Sequence, residues 1–386
     1  MSLQFPREEY AARIAAARRA LAADGLDALL IFSQESHYYL TGFDTSGYVF
    51  FQCAVLTADE RPITLLTRRP DLEQARRTSI IDDIRLWYDA EGANPADDLK
   101  AILAGLGLAG GRVGIELSTY GLTPANYERV RRALDGWCRL EDASLVVRRL
   151  RLVKSPTEIA YVRRAAALAD DSLDAMLEAA GPGVFEGEVN AAGVAAILRG
   201  GGDLAVSGPV FGSGERALLC RSSTGYTTLG ETDQLTMEFG AAYRRYHACL
   251  MLTVAIGESD ARQARMFEVT REALAAMTEA AAPGKPLGGI DDAHRRVFDA
   301  AGYGHARMAA CGYSLGATYR PSWMDVPPML YSGNPLPAEP GMVLFMHAIL
   351  ADSETGLAMS LGHTVVITGQ GCDVLTRHQF AYTVCA

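Results

Sequence analysis

A chain of 386 residues, 49% hydrophobic and 21% charged, can bury a large core and is long enough for two domains. Its formal net charge of −10, with no basic block to offset it, argues against nucleic acid as a partner. No run of about 18 apolar residues appears and MSLQFPREEY lacks a charged-then-apolar leader, so neither a membrane span nor a signal peptide is expected and the chain reads as cytoplasmic.

From Glu8 to Asp24 apolar residues recur at helical spacing behind an acidic start, with Gly25 as the stop, which predicts an amphipathic helix. LDALLIF (26–32) suits a buried strand; SQESHYYLTGF (33–43) follows, and YVFFQCAVLTA and PITLLT add two more strands. VGIEL (113–117) is another buried strand ahead of a helix over 124–135, and the alternation predicts a compact α/β domain. At RRLRLVKSPTE (148–158) charge and a Ser-Pro step break the pattern, which places a domain boundary there. A long helix over 157–180 follows, capped by Ser155 or Thr157, then the breaker GPG (181–183) and a helix over 186–199. The stretch 207–233 is rich in glycine and polar residues, as suits a loop lining a site, and it lacks the GxxxxGK[ST] pattern of a phosphate loop, so no nucleotide cofactor is expected. Helices are expected at about 259–281 and 290–301, and short strands with proline-rich turns from Cys311 onward. The seven cysteines stand singly with no CxxC pair, which points to reduced thiols.

The stretch LTMEFGAAYRRYHACLMLTVAIG (235–257) reads as a hairpin with period-2 apolar flanks around a polar corner that begins at Gly240. It holds one carboxylate, Glu238, on an apolar strand, where burial raises a carboxyl pKa toward a useful acid/base range. Glu238 is either a catalytic group or a sheet residue paired with Arg244 or Arg245. The second domain also repeats an order of elements: helices and then a strand pair, with Glu238 and His247 from one half and Tyr313, His347 and His363 from the other.

Five motifs carry a resemblance: LTGFD (40–44), DASLVVRRLRLVKSPTEIAYVRRA (142–165), MEFGAAYRRYHACL (237–250), CGYSLGATYRPSW (311–323) and PGMVLF (340–345). Through them the chain resembles the creatinase, aminopeptidase P and prolidase superfamily, most closely its creatinase and ectoine hydrolase branch. The resemblance implies an α/β N-terminal domain over 1–150, an α+β pita-bread catalytic domain with pseudo-twofold symmetry over 151–386, and a homodimer. Metallopeptidase members hold two metals with two aspartates, a histidine and two glutamates. The matching positions here are Glu238, Cys249, Tyr313, a position on or near His347, and Gly362 with His363 beside it. One carboxylate cannot offset two divalent ions, so no metal is expected; a single zinc on Cys249, His347, His363 and Glu238 is the remaining metal alternative. The family's catalytic histidine falls on Arg221, a group that holds a carboxylate bidentately but is no base near neutral pH.

The expected activity is therefore metal-independent hydrolysis of a C–N bond in a small amino-acid-like substrate such as ectoine, creatine or a related amidine. Glu238 would act as acid/base or nucleophile, His247 or His347 would relay the proton, and Arg221 would hold a substrate carboxylate. Tyr313, Trp323, Asp325 and His363 are the further substrate-binding candidates, each with packing or surface placement as its alternative. His37, Tyr38 and Tyr39 are either a substrate lid or ordinary packing. The competing functions are a metal-dependent Xaa-Pro peptidase and a non-catalytic binding member of the fold.

Overall fold

The computed structural model describes residues 3–386, and the chain divides into two compact units, Met1–Arg151 and Leu152–Ala386. The first unit is a mixed six-stranded sheet built from β1 (Ala28–Ile31), β2 (Cys53–Thr57), β3 (Thr64–Arg68), β4 (Asp83–Trp87), β5 (Arg112–Ile115) and β6 (Arg139–Asp142) in the order β4-β3-β2-β1-β5-β6. The apolar run of β1 is explained by burial on both faces: Leu29 and Ile31 enter one core and Ala28 and Leu30 the other. The opening helix, Arg7–Asp24, stops at Gly25, whose φ of 66° places it in the left-handed cap position. SQESHYYLTGF forms the helix Gln34–Thr41, in which His37, Tyr38 and Tyr39 are all buried, so they pack within this unit and form no exposed lid.

The second unit opens on the helix Pro156–Ala179, and the structure decides its cap. The Ser155 hydroxyl accepts from Glu158 N at 3.2 Å, and the Glu158 carboxylate accepts from Ser155 N at 2.8 Å. A helix at Glu186–Arg199 completes the first pair, and Ala261–Ala280 with Gly288–Ala300 form the second. The sheet comprises β7 (Asp203–Leu204), β8 (Val210–Ser213), β9 (Asp233–Tyr243), β10 (Tyr246–Ile256), β11 (Gly312–Leu315), β12 (Met324–Met329), β13 (Val343–Asp352) and β14 (Leu357–Ile367), extended by β15 (Cys372–Val374) and β16 (Val384–Cys385). Its main path runs β12-β11-β13-β14-β10-β9-β7, with β8 also paired to β9. Each half thus supplies a helix pair and a long hairpin, and the hairpins meet where Met251 of β10 faces Gly362 of β14.

Alternation sorts the side chains. Met237, Phe239, Leu250, Leu252, Leu344, Met346 and Leu361 join the core that also includes helix residues such as Leu168, Phe267 and Leu274. Glu238, Cys249, Met251 and His347 occupy the other face by register. No helix of the described residues is long and apolar enough to cross a membrane.

Three expectations need correction. Gly240 lies inside β9, paired with Cys249, and the corner is instead the two-residue turn Arg244-Arg245, with φ of 50° and 69°. That left-handed backbone is unusual without glycine and is held by side chains: Arg244 Nη1 donates to Tyr161 Oη at 2.6 Å, and Arg245 stacks over Tyr319. The end of the chain is not made of short strands alone, since β13 and β14 have ten and eleven residues. Within the glycine-rich stretch, Val210–Ser213 is a strand.

Candidate active site

Glu238 lies in the middle of β9, 8% exposed, with the carboxylate on the face away from the helices. Tyr313 donates its hydroxyl to Glu238 Oε1 at 3.0 Å and accepts from Trp323 Nε1 at 2.7 Å. Because the indole can only donate, the phenol oxygen accepts from it and its own proton is left for the Glu238 oxygen. Gly312 makes this possible. At φ 152° the chain turns so that Cys311 enters the helix-side core and Tyr313 faces Glu238, and a Cβ at Gly312 would lie 2.1 Å from Phe345 O. Burial raises the Glu238 pKa above the ordinary carboxyl range, opposed by the Tyr313 hydrogen bond and the charge of Arg221. Among the described residues Oε2 has no hydrogen-bond partner.

His347 of β13 approaches the same place. Its ring centroid is 5.9 Å from that of Tyr313 and 5.4 Å from Phe345, and no described residue hydrogen-bonds its ring nitrogens. Burial lowers its pKa to about 4, so the imidazole is neutral at pH 7 and its free lone pair can accept a proton. Arg221 is exposed, has no hydrogen bond or ion pair among the described residues, and its charge acts on both Glu238 and His347. Its loop is anchored by two residues that the sequence reading passed over. Arg216 Nη1 reaches both oxygens of the fully buried Glu186 at 2.8 and 2.9 Å, and Arg216 Nη2 donates to Ser222 Oγ at 3.0 Å. Only the run of glycine and polar residues around Arg216 marked it, with no spacing to single it out.

Three of the expected site residues are placed elsewhere. His247 shares the face of Glu238, but it stands opposite Ala242 while Glu238 stands opposite Met251, about 13 Å along the strand. Both of its ring nitrogens are occupied: Nε2 accepts from Val206 N at 3.3 Å, and Nδ1 lies 3.2 Å from Thr318 Oγ1 and 3.4 Å from Gly316 O. Burial lowers its pKa to about 4, and the proton relay to Glu238 is not formed. Asp325 belongs to this same corner, since a Cβ at Gly316 would lie 2.5 Å from Asp325 Oδ2 and 3.5 Å from Lys154 Cε. His363 pairs with Met346 and so points to the helix side, where Nε2 lies 3.2 Å from Thr278 Oγ1 and the ring stacks on Phe380. Trp323, by contrast, reaches the site through its bond to Tyr313.

Residues 160–369, more than half of the chain, match the model of metallopeptidase family M24. The chain belongs to metallopeptidase family M24. Ahead of that region, residues 13–153 match the creatinase/prolidase N-terminal domain. Relatives of this M24 chain include the ectoine hydrolase of Halomonas elongata, 29% identical over 395 residues with 97% of each chain covered. They also include the probable dipeptidase PepE of Mycobacterium tuberculosis, 29% identical over 344 residues with 88% of each covered. Solved structures of the same fold include dipeptidase PepE from Mycobacterium ulcerans, with a TM-score of 0.85, 24% identity and 99% of each chain covered. The prolidase from Pyrococcus furiosus has a TM-score of 0.80 at 21% identity, covering 94% of this chain and all of that one.

For the metal pair of M24 metallopeptidases, the five matching positions converge here but do not fit. Glu238 supplies the one carboxylate. Cys249 and Tyr313 stand where the metallopeptidase pattern has an aspartate and a histidine, and a thiol and a phenol already bonded to Trp323 and Glu238 do not replace the hard carboxylate oxygens that two divalent ions need. The Cys249 backbone is fixed by Thr364, whose hydroxyl accepts from its N–H at 2.8 Å and donates to its carbonyl at 2.9 Å. Gly362 offers no ligand, and a Cβ there would lie 2.8 Å from Phe345 Cζ, 3.0 Å from His347 Cβ and 3.1 Å from Met251 Cβ. The single-zinc alternative fares no better: the one described group of His, Cys, Asp and Glu ligand atoms within 4.8 Å of one another is His305, Asp352 and Glu354, at the β13–β14 turn.

Proposed function

We propose that this M24 chain hydrolyses a C–N bond, other than an ordinary peptide bond, in a small carboxylate-bearing substrate, and that it does so without a metal ion. The observation that carries this reading is a buried carboxyl with raised pKa, held on one oxygen by Tyr313, in the company of a neutral imidazole and an exposed guanidinium. Water attacks the carbon of the C–N bond and gives its proton to a ring nitrogen of His347. The bonding pair leaves with nitrogen, which takes its proton from Glu238 Oε2. Arg221 holds the substrate carboxylate as a fork of N–H donors and so orients the scissile bond. Two groups whose pKa values are pushed in opposite directions divide the acid and base roles. Similarity to an ectoine hydrolase supports this substrate class.

A second reading, a metal-dependent dipeptidase, draws on the similarity to PepE, but it requires carboxylate ligands at the positions of Cys249 and Gly362, where this chain has a thiol and no side chain. The test is elemental analysis of protein purified without added metal, with hydrolysis of ectoine, creatine and an Xaa-Pro dipeptide assayed before and after chelation. Substoichiometric metal, chelator-insensitive hydrolysis of a non-peptide substrate, and loss of that turnover in a folded Glu238→Gln variant are expected. Stoichiometric metal with chelator-sensitive cleavage of the dipeptide would overturn the proposal.

A further inference from the structure

β7 and β8 both pair with β9, the first through Leu204↔Ala241 and the second beginning at Val210↔Glu238. The chain between them, Ala205 to Pro209, therefore leaves the ladder alongside Phe239 and Gly240. The gap is a cavity of about 200 Å³, lined among others by Met176, Val194, Ile197, Ser207, Gly240 and Trp323. None of Glu238, Tyr313, His347 and Arg221 lines it, but two of its lining residues lead toward them. Trp323 is bonded to Tyr313, and Gly240 lies two residues from Glu238 on β9, about 7 Å along the strand and on the same face. A Cβ at Gly240 would come 3.1 Å from Cys249 Sγ and 3.5 Å from Ala205 Cβ, so a side chain here would crowd the stretch of β9 between the cavity and Glu238. The wall itself is pinned by His247, whose Nε2 accepts from Val206 N while Nδ1 reaches the Gly316 and Thr318 corner.

We infer that this cavity receives an uncharged alkyl or acyl arm of the substrate and limits its length, with His247 as a positioning residue for the cavity wall. The inference rests on the reading of Glu238, His347 and Arg221 as a site for a carboxylate-bearing substrate. Apolar side chains from the helices Pro156–Ala179 and Glu186–Arg199, with Asn190 and Ser207 as neutral polar groups, suit an uncharged arm; the single charged lining residue, Arg320, is exposed. At about 30 Å³ per water molecule the space holds roughly six or seven waters, which an arm of about four to six carbons would replace.

The experiment is calorimetric titration of the full-length protein with N-acylglycines from acetyl to decanoyl, together with N-succinylglycine as a charged arm. Kd should fall about fourfold per methylene, following the hydrophobic transfer increment, until the arm reaches about four to six carbons, and then level off or rise. Val194→Phe, and independently Ser207→Leu, should move that break to shorter arms. Arg221→Ala should weaken every member of the series by one common factor and leave the slope unchanged. An intact slope with no effect of Arg221→Ala would remove the carboxylate clamp while the cavity assignment stands. A flat dependence on arm length, no binding at any length, a break unmoved by both filling variants, or tighter binding of the succinyl than the butyryl compound would overturn the inference.

Discussion

Removing the Tyr313 hydroxyl tests the site at the point where its hydrogen bonds converge. Tyr313→Phe deletes the donor 3.0 Å from Glu238 Oε1 and leaves the buried Trp323 Nε1, now 2.7 Å from nothing it can bond, without an acceptor. A hydrogen bond to a charged group contributes about 1.5–3 kcal/mol, and each pKa unit corresponds to about 1.4 kcal/mol, so the already raised Glu238 pKa should climb by a further one to two units. The sign follows from the chemistry: the lost bond favoured the carboxylate, so its removal favours the protonated acid. If Glu238 is the proton donor, the descending limb of the kcat/KM profile moves to higher pH by that amount. The orphaned indole should separately cost about 1–3 kcal/mol in urea unfolding. Trp323→Phe is the control, because it removes the indole and leaves the bond between Tyr313 and Glu238. A Tyr313→Phe profile with its descending limb unmoved would refute Glu238 as the acid that Tyr313 tunes.

His247→Ala should lower stability by about 2–4 kcal/mol through the lost buried bonds to Val206 and Thr318, with both pH limbs of the remaining activity in place; loss of a limb would return His247 to proton transfer. Gly362→Ala drives a Cβ against Phe345, His347 and Met251, and thermal unfolding should report a loss of about 1–3 kcal/mol. Acid should weaken the second unit. His247, His347 and His363 are each held at about 4 against an ordinary 6.5, so the unfolded chain binds protons first as pH falls. Their stabilisation is complete above about pH 6.5 and is lost down to about pH 4, at up to about 3 kcal/mol per histidine, with the raised Glu238 acting in the opposite sense. Melting temperatures at pH 7 and pH 5 check this, and equal values would contradict it.

The buried, bonded state of Glu238 was legible because a lone carboxylate on an apolar strand is costly unless it is used or paired, and the opening helix and the cap at Ser155 followed from local rules. The histidines were harder, for reasons of register. His347 and His363 are both plausible by counting, yet β13 and β14 pair 347 with 362 and 346 with 363, and that single step sends one histidine to Glu238 and the other to Thr278. His247 is nine residues from Glu238 in sequence, but the hairpin folds back to place Met251 across from Glu238 instead. The cavity was invisible in the sequence because it arises from where two short strands stop pairing with β9, and no local residue pattern encodes that.

The two arginines at the tip of the β9–β10 hairpin lie about 20 Å along the strand from Glu238, yet the turn they form belongs to the registration that points it into the site. A one-residue slip in β9 would exchange its faces, swinging Met237 and Phe239 into the site and burying Glu238 and Gly240 against the helices. A glycine at either turn position would relax the left-handed backbone while losing the aromatic anchors at Tyr161 or Tyr319 that hold the tip in one registration. Orientation of the acid thus depends on a turn outside the pocket as well as on the apolar face of β9. Any redesign of this enzyme that repacks the pocket should leave that turn untouched, and any drift in the family at Arg244 and Arg245 should be matched by drift at Tyr161 and Tyr319.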